Sequence, residues 1–194
     1  MSGNNTGNEL ILASASPRRA QLLDLLGIDF RVEVFNTVEI TKADPKETVI
    51  TNARRKAEKA TSVYPTSLIL AADTVIDFEG KIIGKPSSTE QAFKVLKSFS
   101  GKTHRCTSAV CLAKFDFIEI RTEQSLVTFK NLKDSEITNY IERVNPCDKA
   151  GGYGIQELGW SLIKSIEGSF DNVMGLPLAK VLEMFSLAKV RGLL

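Results

Sequence analysis

The chain has one histidine, one tryptophan and only three cysteines in 194 residues. His104 is therefore the sole candidate base for a Ser-His-Asp arrangement. It stands in a Gly-Lys-Thr-His turn entering a strand, where a structural role is the commoner one. Cys106, Cys111 and Cys147 have no metal-ligand spacing and cannot all pair with one another, which fits a reduced, cytoplasmic setting. Cys106 and Cys111 lie on one strand, point to opposite faces and read as core. No GxxxxGK[ST] loop occurs, and no GxGxxG follows a strand. No apolar run approaches membrane-spanning length, and the start, MSGNNTGNE, lacks the apolar core of a signal peptide. Residues 1–9 are expected to be a flexible tail. A net charge of +2 gives no reason to expect a nucleic-acid or membrane partner. What is present, 43% hydrophobic and 25% charged residues, is ordinary globular composition, enough for one domain over residues 10–194.

Strand and helix signals alternate. The apolar run Leu10–Ala13 reads as a buried strand, and Pro17 suits the first position of the helix after it. An extended run follows at Phe30–Phe35, then a helix of mixed charge from Pro45 to Ser62. Leu68–Ala72 reads as a short apolar strand. Val75–Ile83 reads as a hairpin turning at Phe78–Lys81. Ser87 and Glu90 have capping-box spacing for a helix through Phe99. Thr103–Ala113 and Ile118–Phe129 are β-branched and read as paired strands. A helix over Asp134–Val144, a strand over Trp160–Ile166 and a last helix over Leu176–Leu187 complete the chain. The fold class is α/β, with a mixed, twisted central sheet flanked by helices and a substrate cleft.

Five segments carry candidate chemistry. In SASPRR, the hydroxyls of Ser14 and Ser16, the helix N-terminus and the forks of Arg18 and Arg19 can converge on an anion such as phosphate. The ordinary alternative is a capped helix with solvated arginines. Asp73-Thr74 follows an apolar strand, where open α/β sheets place ligands; an Asp opening a turn is the plainer reading. Lys85, between Gly84 and Pro86, is either a surface lysine or a point charge aimed at phosphate. In DKAGGYGIQ, clustered glycines allow close backbone approach, and Gln156 can donate to and accept from a base edge. The segment Glu167–Pro177 is a polar turn entering the last helix. Arginines, lysines and the carboxylates Glu39, Asp73 and Asp148 together suit a substrate carrying phosphates and a divalent metal.

SASPRR, ADT (72–74), GKP (84–86), SGKTH (100–104), DKAGGYGIQ and GLP (175–177) occur in an order that resembles the Maf-like nucleoside triphosphate pyrophosphatases, related in fold to the inosine triphosphate pyrophosphatases. The resemblance covers residues 10 to about 187. It implies hydrolysis of a nucleoside triphosphate to the monophosphate and pyrophosphate, with a divalent cation, Mg²⁺ before Mn²⁺ or Co²⁺. Asp73 would be the proton acceptor that activates water. Ser14, Arg18, Arg19, Lys56 and Lys85 would contact phosphates, and Glu39 with Asp73 would serve the metal. Val38 stands where a second acid often precedes Glu39, and Lys133 where a Ser or Thr cap is common. A homodimer in the cytoplasm is implied, with no nucleic-acid or membrane partner.

Arg18, Thr74 and Gln156 resemble the branch acting on dTTP and UTP. The branch acting on 7-methyl-GTP has a bulky aromatic, a Gln and a Glu-containing loop at those places. Pyrimidine triphosphates, modified uridines included, are the expected substrates. The alternatives are the same chemistry on 7-methyl-GTP or CTP, or a non-catalytic nucleotide-binding regulator of cell division.

Overall fold

A computed structural model describes residues 9–193; the expected tail lies outside them except for Glu9. The Glu9 carbonyl accepts from Leu68 N–H at 2.9 Å, and its carboxylate pairs with Arg31 at 3.1 Å. The strands are β1 (Leu10–Ala13), β2 (Arg31–Glu33), β3 (Leu68–Phe78), β4 (Lys81–Ile83), β5 (Thr103–Lys114), β6 (Phe117–Phe129) and β7 (Ile163–Glu167). The helices are α1 (Pro17–Asp24), α2 (Pro45–Val63), α3 (Thr89–Phe99), α4 (Asp134–Arg143), α5 (Phe170–Met174) and α6 (Leu178–Val190). The sheet has seven strands in the order β2-β1-β3-β5-β6-β7, with β4 paired to β3. It is mixed: β1 runs parallel to β2 and β3, while the β3–β4 and β6–β7 pairs are antiparallel. This is the expected α/β class.

The chain forms two compact units. One holds the segment up to Asp73 with Ser108–Glu123 and Gly175–Leu194; the other holds Thr74–Thr107 and Gln124–Met174. In the first, all four residues of β1 are buried, as expected of a parallel strand covered on both faces. Val49, Ala53, Ala57 and Ala60 recur every three or four residues along α2 and are fully buried. That stripe sets the rotation of α2, and Asn52 and Lys56, one turn apart, lie together along its margin.

Four local readings need correction. β3 does not stop at Ala72 but runs through Asp73 to Phe78, because its apolar pattern resumes at Val75 and Ile76 pairs with Ile83. Ser88, not Ser87, caps α3 and accepts from Gln91 N–H at 3.2 Å. The Gln91 side chain accepts from Ser87 N–H, so the cap sits one residue later than expected. Trp160, itself exposed, belongs to a 3₁₀ turn at Gly159–Ser161, and the strand expected from it starts at Ile163. The polar turn before the last helix contains the short helix α5.

The second unit's core gathers Phe78, Phe99, Phe129 and Tyr153, with His104 among them, 2% exposed. His104 Nε2 lies 2.8 Å from the Tyr153 hydroxyl. Burial lowers its pKa to about 4 from 6.5, which suits a neutral core imidazole. Between those values only the unfolded chain holds the proton, so this contribution is fully present above pH 6.5 and is lost as pH falls through about 4. Between pH 7 and 4.5 the protein is expected to lose on the order of 2–3 kcal/mol more stability than His104→Gln. Urea titrations of both at the two pH values measure the difference. Cys106 and Cys111 are free and buried as expected, and burial pushes the Cys111 thiol up to about 12.

Candidate active site

The turn after β1 is held from within. Ser14 N–H donates to the Glu33 carbonyl at 3.1 Å, and its Oγ accepts from Ser16 N–H at 3.1 Å. Ser16 occupies the N-cap of α1, but its side chain makes no capping hydrogen bond. Arg19 closes the arrangement. Its Nε donates to the Gly175 carbonyl at 2.8 Å, and its Nη1 to the Ala72 carbonyl at 2.9 Å and to Ser14 Oγ at 3.4 Å. The guanidinium fork thus braces the SASPRR turn against β3, one residue before Asp73, and against the Gly175 turn. Main-chain carbonyls thus take part of the guanidinium's donor set. Arg18, beside it on α1, is half-buried.

Asp73 sits inside β3, just past the level where β1 ends opposite Ala71. It is 5% exposed. A carboxylate there needs partners, because an unpaired buried charge is costly. Lys56 Nζ donates to its Oδ1 at 2.7 Å, and Asn52 Nδ2 to its Oδ2 at 3.1 Å. The same Lys56 ammonium donates to Glu39 Oε1 at 2.7 Å. Glu39, Lys56 and Asp73 form a carboxylate–ammonium–carboxylate line with a solvated end, since the Glu39 side chain is 61% exposed and that of Asp73 8%. Glu39 and Asp73 converge on one cationic group. These two carboxylates are the pair that could also hold a divalent ion. Among the described residues no group of three or more His, Cys, Asp or Glu is placed to hold a metal ion.

In the other unit, the Gly84 carbonyl accepts from Gly151 N–H at 3.0 Å. That bond ties the main chain beside Lys85 to the glycine loop, while the residue itself is exposed. Gly151 and Gly152 have φ of 70° and 75°, a left-handed pair that side chains disfavour. Behind the loop Lys149 is 1% exposed. Its ammonium meets Asp148 at 2.6 Å, Glu157 at 2.8 Å and the Asn145 carbonyl at 2.8 Å. Gln156 Nε2 donates to Glu157 Oε1 at 3.2 Å. A carboxylate only accepts, so Glu157 fixes which end of the amide faces it. One N–H of Gln156 is thereby engaged, and its Oε1 is buried with no hydrogen-bond partner among the described residues. Thr74, next to Asp73 on β3, is half-buried.

Of the residues expected from sequence, Ser14, Arg19, Glu39, Lys56 and Asp73 share the first unit and are linked as described. Asn52 and Glu157 are additions. Asn52 gives only a weak signal, a polar residue beside the apolar stripe of α2; Glu157 gives none beyond its place beside Gln156.

The α/β scaffold thus carries a carboxylate–ammonium–carboxylate line on β3, just past the level where parallel β1 ends, so both signs of charge meet at one place. A profile described as Maf-like protein matches residues 9–188. A dTTP/UTP pyrophosphatase from Thermosipho africanus is 45% identical over 174 residues, covering 89% of this chain and 90% of its own length. Proteins of the same name from Syntrophus aciditrophicus and Pyrococcus furiosus are 42% identical over 179 and 181 residues, covering 90% and 92% of this chain and 87% and 95% of their own lengths. The chain belongs to the Maf-like protein family.

Proposed function

We propose that this protein is a nucleoside triphosphate pyrophosphatase that hydrolyses dTTP and UTP to the monophosphate and pyrophosphate. The observation that carries the reading is the Glu39–Lys56–Asp73 line, in a chain whose relatives bear that name. Asp73 accepts a proton from water as the water oxygen bonds to the α-phosphorus. The bond from that phosphorus to the bridging oxygen breaks, and pyrophosphate leaves with the electron pair. Lys56 holds Asp73 in place and offers positive charge to the phosphates, as do Arg18 and Lys85. Ser14 contributes its hydroxyl, and Arg19 whatever its carbonyl contacts leave. Glu39 and Asp73 would hold a divalent cation, Mg²⁺ before Mn²⁺ or Co²⁺, which would supply charge neutralisation at the phosphates. Gln156 reads the pyrimidine edge with its Oε1 and remaining N–H, and Arg18 and Thr74 share in base choice. The family match spans both units, which supports residues 10–194 acting as one functional domain. Family membership also supports a cytoplasmic protein, and the reading includes a homodimer, which sedimentation checks.

Pyrophosphate release from dTTP, UTP, CTP and 7-methyl-GTP is the decisive assay. The expected kcat/KM for dTTP and UTP exceeds that for the other two by at least about tenfold, since a mispaired amide discriminates strongly. A preference for CTP or 7-methyl-GTP would remove the role given to Gln156.

A further inference from the structure

Asn52 lies one turn before Lys56 on α2 and is 4% exposed. Its Oδ1 accepts from Ile40 N–H at 2.9 Å, and its Nδ2 donates to the Ile40 carbonyl at 3.0 Å and to Asp73 Oδ2 at 3.1 Å. Both donors of the amide are thus used. The reciprocal pair with Ile40 leaves only one orientation, because a main-chain N–H donates and a carbonyl accepts. The second N–H is thereby aimed at Asp73. Lys56 takes the other carboxylate oxygen, Oδ1, at 2.7 Å.

We propose that Asn52 is a positioning residue for Asp73, and that through Ile40 it ties the orientation of that carboxylate to the segment carrying Glu39. The proposal rests on the reading of Asp73 as the proton acceptor. Lys56 alone holds one oxygen and leaves the carboxylate free to turn about its bond to Cβ. A second donor, fixed by the main chain of residue 40, removes that freedom and sets which lone pair faces the attacking water. The same amide anchors the residue next to Glu39, so one side chain governs both ends of the carboxylate–ammonium–carboxylate line. A buried asparagine that merely bracketed residue 40 would affect stability alone.

The test is a double-mutant cycle on the full chain, with kcat and KM for dTTP and UTP corrected for the folded fraction. Asn52→Leu, with the same branching at Cγ and no polar atoms, is expected to lower kcat about tenfold or more, the effect of losing a hydrogen bond to a charged group. KM should change by less than about threefold, since Asn52 touches no substrate. In the Asp73→Asn background the same substitution should alter the residual rate by less than about twofold, because its partner is already disabled. Where the leucine variant does not fold, Asn52→Ser is read the same way. Equal losses in both backgrounds, or a wild-type kcat for Asn52→Leu, overturn the positioning role. A wild-type kcat for Asp73→Asn by itself overturns the reading of Asp73 instead.

Discussion

Asp73→Asn is expected to lower kcat for dTTP and UTP by about a thousandfold while nucleotide affinity stays within a few-fold. The substitution keeps the shape of the side chain and its place inside β3, but an amide oxygen cannot take the proton that water gives up. Removing a positioned general base commonly costs about 10²–10⁴ in rate. The Lys56 ammonium keeps Glu39 as its second anionic partner at 2.7 Å, so the positive group offered to the phosphates stays anchored. Binding should survive for that reason. Single-turnover pyrophosphate release gives the chemical rate, and calorimetric titration gives the affinity. A variant that turns over at the wild-type rate would show that another group takes the proton.

Gly159→Ala is expected to destabilise the protein by about 2–4 kcal/mol, lowering the melting temperature by roughly 5–15 °C. A Cβ at residue 159 would meet the Gly154 carbonyl carbon at 2.7 Å and clash still more closely with its oxygen. Both are main-chain atoms that cannot swing aside. The Gly154 carbonyl is also the acceptor that closes the loop, taking N–H groups from Glu157 and Gly159 at 3.0 Å each. Room for the methyl group requires breaking those bonds, and the segment they close carries Gln156. Discrimination between UTP and CTP should weaken along with the melting temperature. A melting temperature within a degree of the parent would show that the turn adjusts without cost.

Much of the framework was legible in sequence. β1, α2, β5, β6 and α4 fall within a residue or two of their expected ends, because each has a long apolar period and a clear start or stop. Pro17 opens α1 and Pro45 opens α2 for the reason Pro suits a first turn, its missing N–H. Asp73 stands out by residue type but not by its place inside β3. A charged residue after five apolar ones reads as the end of a strand, and only donors from Lys56 and Asn52 allow a carboxylate to continue it. Ser87 and Ser88 both have capping spacing, with Glu90 and Gln91, and the sequence offers no way to choose. Trp160 reads as a strand residue by type, whereas Leu158, two residues before it, has φ of 65° and caps a 3₁₀ turn.

Taken alone, the sequence determined the α/β class, the order of the elements and the residue types that bear on phosphate chemistry. Those follow from local period, turn chemistry and short contiguous motifs. The tertiary structure decided which of those residues meet. Asn52 and Lys56 reach Asp73 across 21 and 17 positions, and Arg19 reaches Gly175 across 156. Such meetings depend on how α2 is rotated by its buried alanine stripe and on where β1 stops beside β3. No local pattern records either, so the sequence could name Asp73 while only the packed fold supplied the partners that let it sit there.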